Sequence, residues 1–191
     1  MLTMKHHLLF FCAAVAAAAA GPLHAQQQLV PAQSEITFVS RQMGLPVEGR
    51  FRRFDAQVAF DPKKPEAAAI AISIDLASVS LGTADTEAEL AKPEWFGVRQ
   101  FPKATFQSTA VKAVGAGRFE VAGKLAIKGN TRDVVVPVAL APAGAYTAAN
   151  GSFVIKRQDF RIGDGEWNDT SLVANDVQVR FKLTLAGVPA L

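Results

Sequence analysis

The sequence predicts an all-β protein, a barrel of eight antiparallel strands with one short helix between the third and fourth. Two observations carry that prediction. Apolar side chains recur at every second position, as in Phe119, Val121, Gly123, Leu125 and Ile127 against Glu120, Ala122, Lys124, Ala126 and Lys128. Such alternation gives a strand one dry and one wet face. The alternation also slips once: Val47, Gly49 and Phe51 share a phase, and Phe54, Ala56, Val58 and Phe60 resume in the other phase after Arg52-Arg53. Two consecutive polar residues where one is expected indicate a β-bulge, which bends a long strand around a barrel corner.

The strands are expected at 34–42, 46–61, 68–79, 103–113, 117–128, 131–141, 149–158 and 176–187. Gly129-Asn130 is expected as a two-residue hairpin between the fifth and sixth. The connection 81–102 holds the helical signal: Thr83 or Asp85 as N-cap, then Thr86 to Lys92, stopped before Pro93. The connection 159–175 is a Gly- and Asp-rich loop carrying Trp167. In an up-and-down order the first, third, fifth and seventh connections emerge at one end. That gathers the Gln42–Pro46 turn, Trp95, Phe96 and Trp167 on one rim, as a mouth with a lid.

All three histidines (His6, His7, His24) and the single cysteine, Cys12, lie in the first 25 residues. There Lys5 precedes an apolar run from Leu8 to Ala20, and Gly21-Pro22 follows it. The run falls short of the roughly 20 residues that span a bilayer. It is expected to be a secretory signal, residues 1–25, cleaved after Ala25 to leave one periplasmic domain at 26–191. An uncleaved anchor helix is opposed by Gly21-Pro22. The mature chain would then have neither imidazole nor thiol. That excludes a Ser-His-Asp triad, a cysteine nucleophile, a Cys/His zinc site and a disulfide. The 20 basic residues face 17 acidic ones; without Lys5 the balance is 19 to 17, a net charge near +2. The charges are interspersed, so nucleic acid is not an expected partner.

Several phrases resemble the YceI-like family of exported lipid-binding barrels: Ile36-Thr37-Phe38, Gly49-x-Phe51-x-x-Phe54-Asp55, Val58-x-Phe60-Asp61-Pro62 and Ile74-Asp75-x-x-Ser78-Val79. Further along stand Phe101-Pro102-x-Ala104-x-Phe106-x-Ser108, Val121-x-Gly123-x-Leu125-x-Ile127-x-Gly129 and Arg157-x-Asp159-Phe160. The resemblance implies a lipocalin-like barrel whose apolar interior holds a long isoprenoid or related lipid, and it does not imply an enzyme. The chain departs from that pattern at three places: Gln42 where many relatives have His, Thr86-Glu87 in place of an Arg-Asp pair, and Arg161 where a Gly often follows the Asp-Phe.

An eight-stranded barrel is the size at which side chains either fill the interior or leave room for one small ligand. Ser40, Gly49, Ala104, Ser108 and Gly123 share the inward phase and argue for empty volume. With the resemblance added, a tunnel is expected, lined by Phe38, Ser40, Gln42, Gly49, Phe51, Phe54, Phe60, Ile72, Ile74, Phe106, Phe119, Val121, Gly123, Leu125, Phe153, Ile155, Arg157 and Phe181. Trp95, Phe96 and Trp167 are expected at its rim. Arg157 shares its phase with Phe153 and Ile155. It is expected either to pair with Asp159, Asp176 or another carboxylate, or to donate to a quinone carbonyl or lipid head group, as Gln42 and Ser40 could.

Asp164, Glu166, Asn168 and Asp169 are rich in oxygen but lack the spacing of a calcium loop, so no metal is expected. Asn150-Gly151-Ser152 and Asn168-Asp169-Thr170 match the glycosylation sequon, a short pattern that recurs by chance. The leading expectation is a non-enzymatic carrier, without cofactor, for a long-chain isoprenoid, quinone or fatty lipid. A filled barrel serving a membrane redox protein is the alternative, and a homodimer stays open. A carboxylate-dependent hydrolase is opposed by strand acids such as Asp55 and Glu120, which fall on the outward phase.

Overall fold

The computed structural model describes residues 27–190. The expected leader, with its histidines and cysteine, lies outside the described residues. Eleven strands run in chain order: β1 Gln27–Leu29, β2 Glu35–Gln42, β3 Leu45–Phe51, β4 Phe54–Ala59, β5 Ala69–Asp75 and β6 Val79–Ser80. They continue as β7 Lys103–Gly115, β8 Arg118–Ile127, β9 Asn130–Ala143, β10 Tyr146–Lys156 and β11 Asp176–Ala186. The helix α1 spans Ala84–Leu90.

Three long strands are each broken in two, so eleven segments make eight staves. β1 and β2 follow one another along β11, at Leu185–Ala186 and at 178–182. β3 pairs with β2, and its continuation β4 pairs with β5 and β1. β6 continues β5 and pairs with Arg50 and Phe51 of β3. From β5 the order runs through β7, β8, β9, β10 and β11, every pairing antiparallel, and β1 closes the barrel between β11 and β4.

The break at Arg52-Arg53 is where the phase slip predicts a bulge, and it stands beside a second break, the 3₁₀ turn Leu76–Ser78. Each satisfies the backbone of the other. The Arg52 amide donates to Ser78 O, the Arg53 amide to Ser78 Oγ and the Asp75 amide to Arg53 O, all at 3.0 Å. Ser78 is buried for that reason.

Four details differ from the sequence expectation. The short strand β1 was not foreseen, because three residues show no period. The two-residue turn is Lys128-Gly129, with φ of 49° and 73°, and Asn130 pairs with Ile127. Two positive φ values in succession are the type I′ geometry that matches the twist of a hairpin. The helix runs Ala84–Leu90 where 86–92 was expected; of the two expected caps it uses Thr83, whose hydroxyl accepts from the Thr86 amide. β10 ends at Lys156, so Arg157 opens a 3₁₀ turn, Arg157–Phe160, instead of continuing the strand.

The inward stripe forms the core. One buried cluster gathers Leu76, Leu90, Phe96, Leu125, Ile155, Phe160 and Ile162 at one end. Others gather Ile36, Val58 and Leu183, and Val111, Phe119 and Val121, toward the opposite end. The β9–β10 ladder stops at Val138 and Gly151, leaving the rest of the two strands unpaired with each other. Among the described residues no helix is long and apolar enough to cross a membrane.

Candidate functional site

The interior holds two apolar chambers that share Ile36, Ile74, Leu125, Phe153 and Val179 as their common wall. The chamber beneath α1 has a volume of about 250 Å³, and the far chamber about 150 Å³. Every side chain lining the far chamber is a hydrocarbon, and Phe60 meets Phe119 edge-on there at 5.1 Å between ring centroids. Polar groups line only the near chamber: Ser40, Gln42, Thr86, Glu89, Arg157 and the indoles of Trp95 and Trp167. A narrow apolar cavity with few polar groups at one end is built for a long hydrocarbon.

The mouth is where meander topology puts it. The Met43 amide donates to Leu172 O and the Ala174 amide to Arg41 O, tying the β2–β3 turn to the loop before β11. The amides of Gly163 and Asp164 donate to Glu94 O, and Lys128 Nζ donates to Glu94 O at 3.2 Å and to Arg161 O. Trp95 and Trp167 meet in a tilted contact, with centroids 5.5 Å apart and planes at 45°. All four connections therefore meet at one rim.

Arg157 organises it. Its side chain is 1 % exposed, and its five N–H groups all end on main-chain carbonyls. Nε donates to Ala174 O, Nη1 to Ile162 O and Gly163 O, and Nη2 to Trp167 O and Val173 O, at 2.7–3.2 Å. The sequence expectation of an ion pair is corrected here: Asp176 pairs with Lys156 at 3.1 Å, and among the described residues no carboxylate reaches the guanidinium. Burial pushes the Arg157 pKa down while the field of Asp164 opposes it. An arginine stays charged under such a shift. With no donor left over, the other expected role, donation to a ligand, has no N–H to perform it.

Two departures from the family pattern acquire a structural reason. Arg161 occupies φ 56°, the left-handed region that suits the Gly of relatives. Lys128 Nζ binds its carbonyl and Asp164 its guanidinium, the latter at 3.2 Å, which holds that backbone in place. Glu87 accepts from the Leu81 amide and faces Arg52 at 3.6 Å, anchoring α1 to the barrel edge. The Ser80 hydroxyl, then Arg52, hold its carboxyl below the usual range against the opposing effect of burial. Asp169 is likewise held low by Ser171. Two acids of the oxygen-rich loop thus serve local structure: Asp164 faces Lys128 and Arg161, and Asp169 accepts from the Ser171 amide.

Of the residues expected to line a tunnel, Phe38, Ser40, Gln42, Phe51, Ile74, Trp95, Phe96, Leu125, Phe153, Ile155, Arg157 and Trp167 surround the near chamber. Phe60, Ile72, Phe106, Phe119, Val121 and Phe181 surround the far one. Gly49, Phe54 and Gly123 line neither, although Phe54 packs in the core. The glycines do not mark empty volume. A β-carbon at Gly49 would lie 2.2 Å from the Phe38 ring, and one at Gly123 2.4 Å from that of Phe106 and 2.5 Å from Gln107 O. Each glycine is the seat of a phenylalanine from the neighbouring strand. Sequence reasoning missed Leu76, Leu81, Thr86, Glu89, Leu90, Ile162 and Val173 in the near chamber. They stand in turns, helix and loop, where no period two exists to reveal them.

Comparison with known proteins agrees with this geometry. The YceI-like domain matches residues 27–185. A UPF0312 protein of Azotobacter vinelandii is 34 % identical over 120 residues, 60 % of this chain and 62 % of that protein, so that match spans under two thirds of the relative's length. A UPF0312 protein of Pseudomonas savastanoi is 28 % identical over 178 residues, 87 % of this chain and 93 % of that protein. The crystal structure of Burkholderia cenocepacia BcnA superposes with a TM-score of 0.80 at 42 % identity, covering 82 % of this chain and 99 % of BcnA. A polyisoprenoid binding domain from Saccharophagus degradans shares the fold, with a TM-score of 0.69 at 18 % identity over 85 % of this chain and 98 % of that domain. Fold, cavity and domain match together make this chain a member of the YceI-like family.

Proposed function

We propose that the protein is an exported periplasmic carrier that holds one long-chain isoprenoid, quinone or fatty lipid and catalyses no reaction. The observation that carries this reading is the pair of adjoining chambers, hydrocarbon throughout except at the mouth. Burying a chain there gains about 0.8 kcal/mol per methylene, so affinity needs no charged anchor. Two further facts support it. The Saccharophagus domain of the same fold is described as polyisoprenoid binding, and the leader-like first 25 residues are suited to export. Native mass spectrometry of protein purified from the periplasm of its own cells tests the reading. The expected result is a chain beginning at or near Gln26 with one lipid mass bound. Cytosolic protein that still begins at Met1, or protein empty after gentle isolation, overturns it.

A further inference from the structure

A carrier of a long apolar molecule has to exchange its cargo with a hydrocarbon phase, and the outer side of the rim is shaped for that contact. Six large apolar side chains are exposed among the described residues, and three of them, Met43 (68 %), Leu45 (69 %) and Leu172 (41 %), belong to the mouth. Exposed apolar residues scattered singly are ordinary, whereas a cluster marks a contact surface. The Met43 amide donates to Leu172 O at 2.8 Å, so the β2–β3 turn and the loop before β11 bring the three together.

The turn itself breaks a local rule. Its two residues, Met43 and Gly44, have φ of 48° and 80°. Such hairpins favour Asn or Asp ahead of the Gly, because other side chains are strained in the left-handed region. Met43 lines neither chamber and joins none of the core clusters, so the barrel gains nothing from it. A β-carbon at Gly44 would meet nothing within 4 Å, so the tip projects into open space. The tip is nevertheless stiff: Arg41 Nη1 donates to Gly44 O at 3.2 Å, Gln42 is bridged to Val173, and the Ala174 amide donates to Arg41 O. A strained, apolar, rigid projection is a feature of function, since it costs the fold stability.

Position and charge decide what it meets. Gln42 and Val173 line the near chamber, and Met43 and Leu172 are their next neighbours in the chain. A lipid leaving the chamber at this point passes these side chains first. With the tip sunk in the acyl boundary of a bilayer, it does so without crossing water. The charged residues beside the tip, Arg41 and Asp169, are both exposed and of opposite sign, so apolar insertion drives the contact in preference to attraction by anionic lipid.

We propose that Met43, Leu45 and Leu172 form a docking tip that inserts into the surface of a phospholipid bilayer and sets the chamber mouth against it. The proposal rests on the carrier reading. It is tested by flotation of the purified protein with vesicles of phosphatidylcholine, alone or mixed with phosphatidylglycerol, at low and high salt. The protein should float with both, with little effect of salt. Met43→Ser, Leu45→Ser and Leu172→Ser combined should weaken vesicle binding about tenfold or more, while native mass spectrometry finds the lipid mass still bound. Leu45→Ser alone, at the most exposed of the three sites, decides the matter if the triple variant does not fold, and should weaken binding about threefold. Protein that stays out of the vesicle fraction, binding that needs phosphatidylglycerol and vanishes in salt, or flotation that survives the substitutions overturns the docking tip and leaves the carrier standing. Self-association that the substitutions abolish, in protein that does not float, assigns the tip to a second copy instead. Protein that floats as expected but holds no lipid after gentle isolation overturns the carrier reading and not the tip.

Discussion

The tip of the Phe38 ring occupies the space that a side chain at Gly49 would take, with Cζ 2.2 Å from the position of a β-carbon there. The two residues face each other directly across the β2–β3 ladder. Phe38 thereby reaches the near chamber, while Gly49 stays buried behind it.

The first prediction follows from what surrounds each glycine. At Gly49 the three nearest atoms all belong to the Phe38 ring, whereas at Gly123 a main-chain oxygen, Gln107 O, is as close as Phe106. Gly49→Ala should destabilise by about 1–3 kcal/mol, and Phe38→Leu in the same chain should recover a large part of it. Gly123→Ala should not be recovered by Phe106→Leu, because the backbone does not retreat. Urea midpoints of the two double-mutant cycles measure this. Equal recovery at both sites would show that the ring contacts are not the cause.

The second prediction concerns the arginine that ties the loop. Arg157→Met leaves carbonyls at Ile162, Gly163, Trp167, Val173 and Ala174 without their donor and should lower stability by about 2–5 kcal/mol. Arg157→Lys should recover little, since three donors on one nitrogen cannot reach five carbonyls spread around a planar fork. Hydrogen exchange should localise the damage to residues 161–175. An unchanged denaturation midpoint in Arg157→Met refutes the assignment.

How much of this was legible in the sequence depends on whether a residue signals by period or by partner. The eight staves, an interruption at Arg52-Arg53 (a break between β3 and β4 where a bulge was expected) and the common rim follow from alternation and turn order, which are local. The breaks at 31–33 and 76–78 are tertiary: Thr184 of β11 bonds Val30, Gln33 and Ser34 around the first, and the Arg52-Arg53 break bonds Ser78 of the second. Arg157 was legible as an inward cation, but not its acceptors, since main-chain carbonyls carry no residue identity. Gly123 was legible as an inward position without a side chain. That Phe106 fills it is a diagonal contact from the next strand, because Gly123 itself pairs with Ser108.

The third prediction is a pH dependence of the helix that covers the mouth. Glu87 has its pKa below the ordinary 4.5, chiefly through the Ser80 hydroxyl. A carboxyl with a folded pKa below its unfolded one contributes stability that is whole above the unfolded value and is lost as pH falls through the folded one. Acidification from pH 6 toward pH 3 should therefore loosen α1, seen as faster exchange of the amides at 81–91. Glu87→Gln should exchange faster at pH 6 and respond less to acid. A wild-type exchange rate that, corrected for intrinsic chemistry, stays level across this range would remove Glu87 from that role.

The fourth prediction is a plateau. Affinity for a homologous chain series should rise by about 0.8 kcal/mol per added methylene until both chambers are full, then level off. The Trp95–Trp167 pair lining the near chamber supplies the fluorescence signal. Enlarging the far chamber by Phe119→Ala should move the plateau to longer chains. Affinity that ignores chain length would place the ligand outside the barrel.

The closing stitch of the barrel has a kinetic consequence. β1 pairs with Leu185 and Ala186 of the last strand and with Gln57 and Val58 of β4, and Gln27 Oε1 accepts from the Phe60 amide at 2.7 Å. Residues from the first and last strands must meet before the sheet loses its edges. Contacts so distant in sequence are slow to form, because loop-closure entropy is lost before the pairing compensates it. Synthesis from the N-terminus delivers β1 first, and it must wait for β11, leaving the β4 flank exposed meanwhile. Closure is then the last event of folding, and the interval before it is when the chain is most open to aggregation and proteolysis.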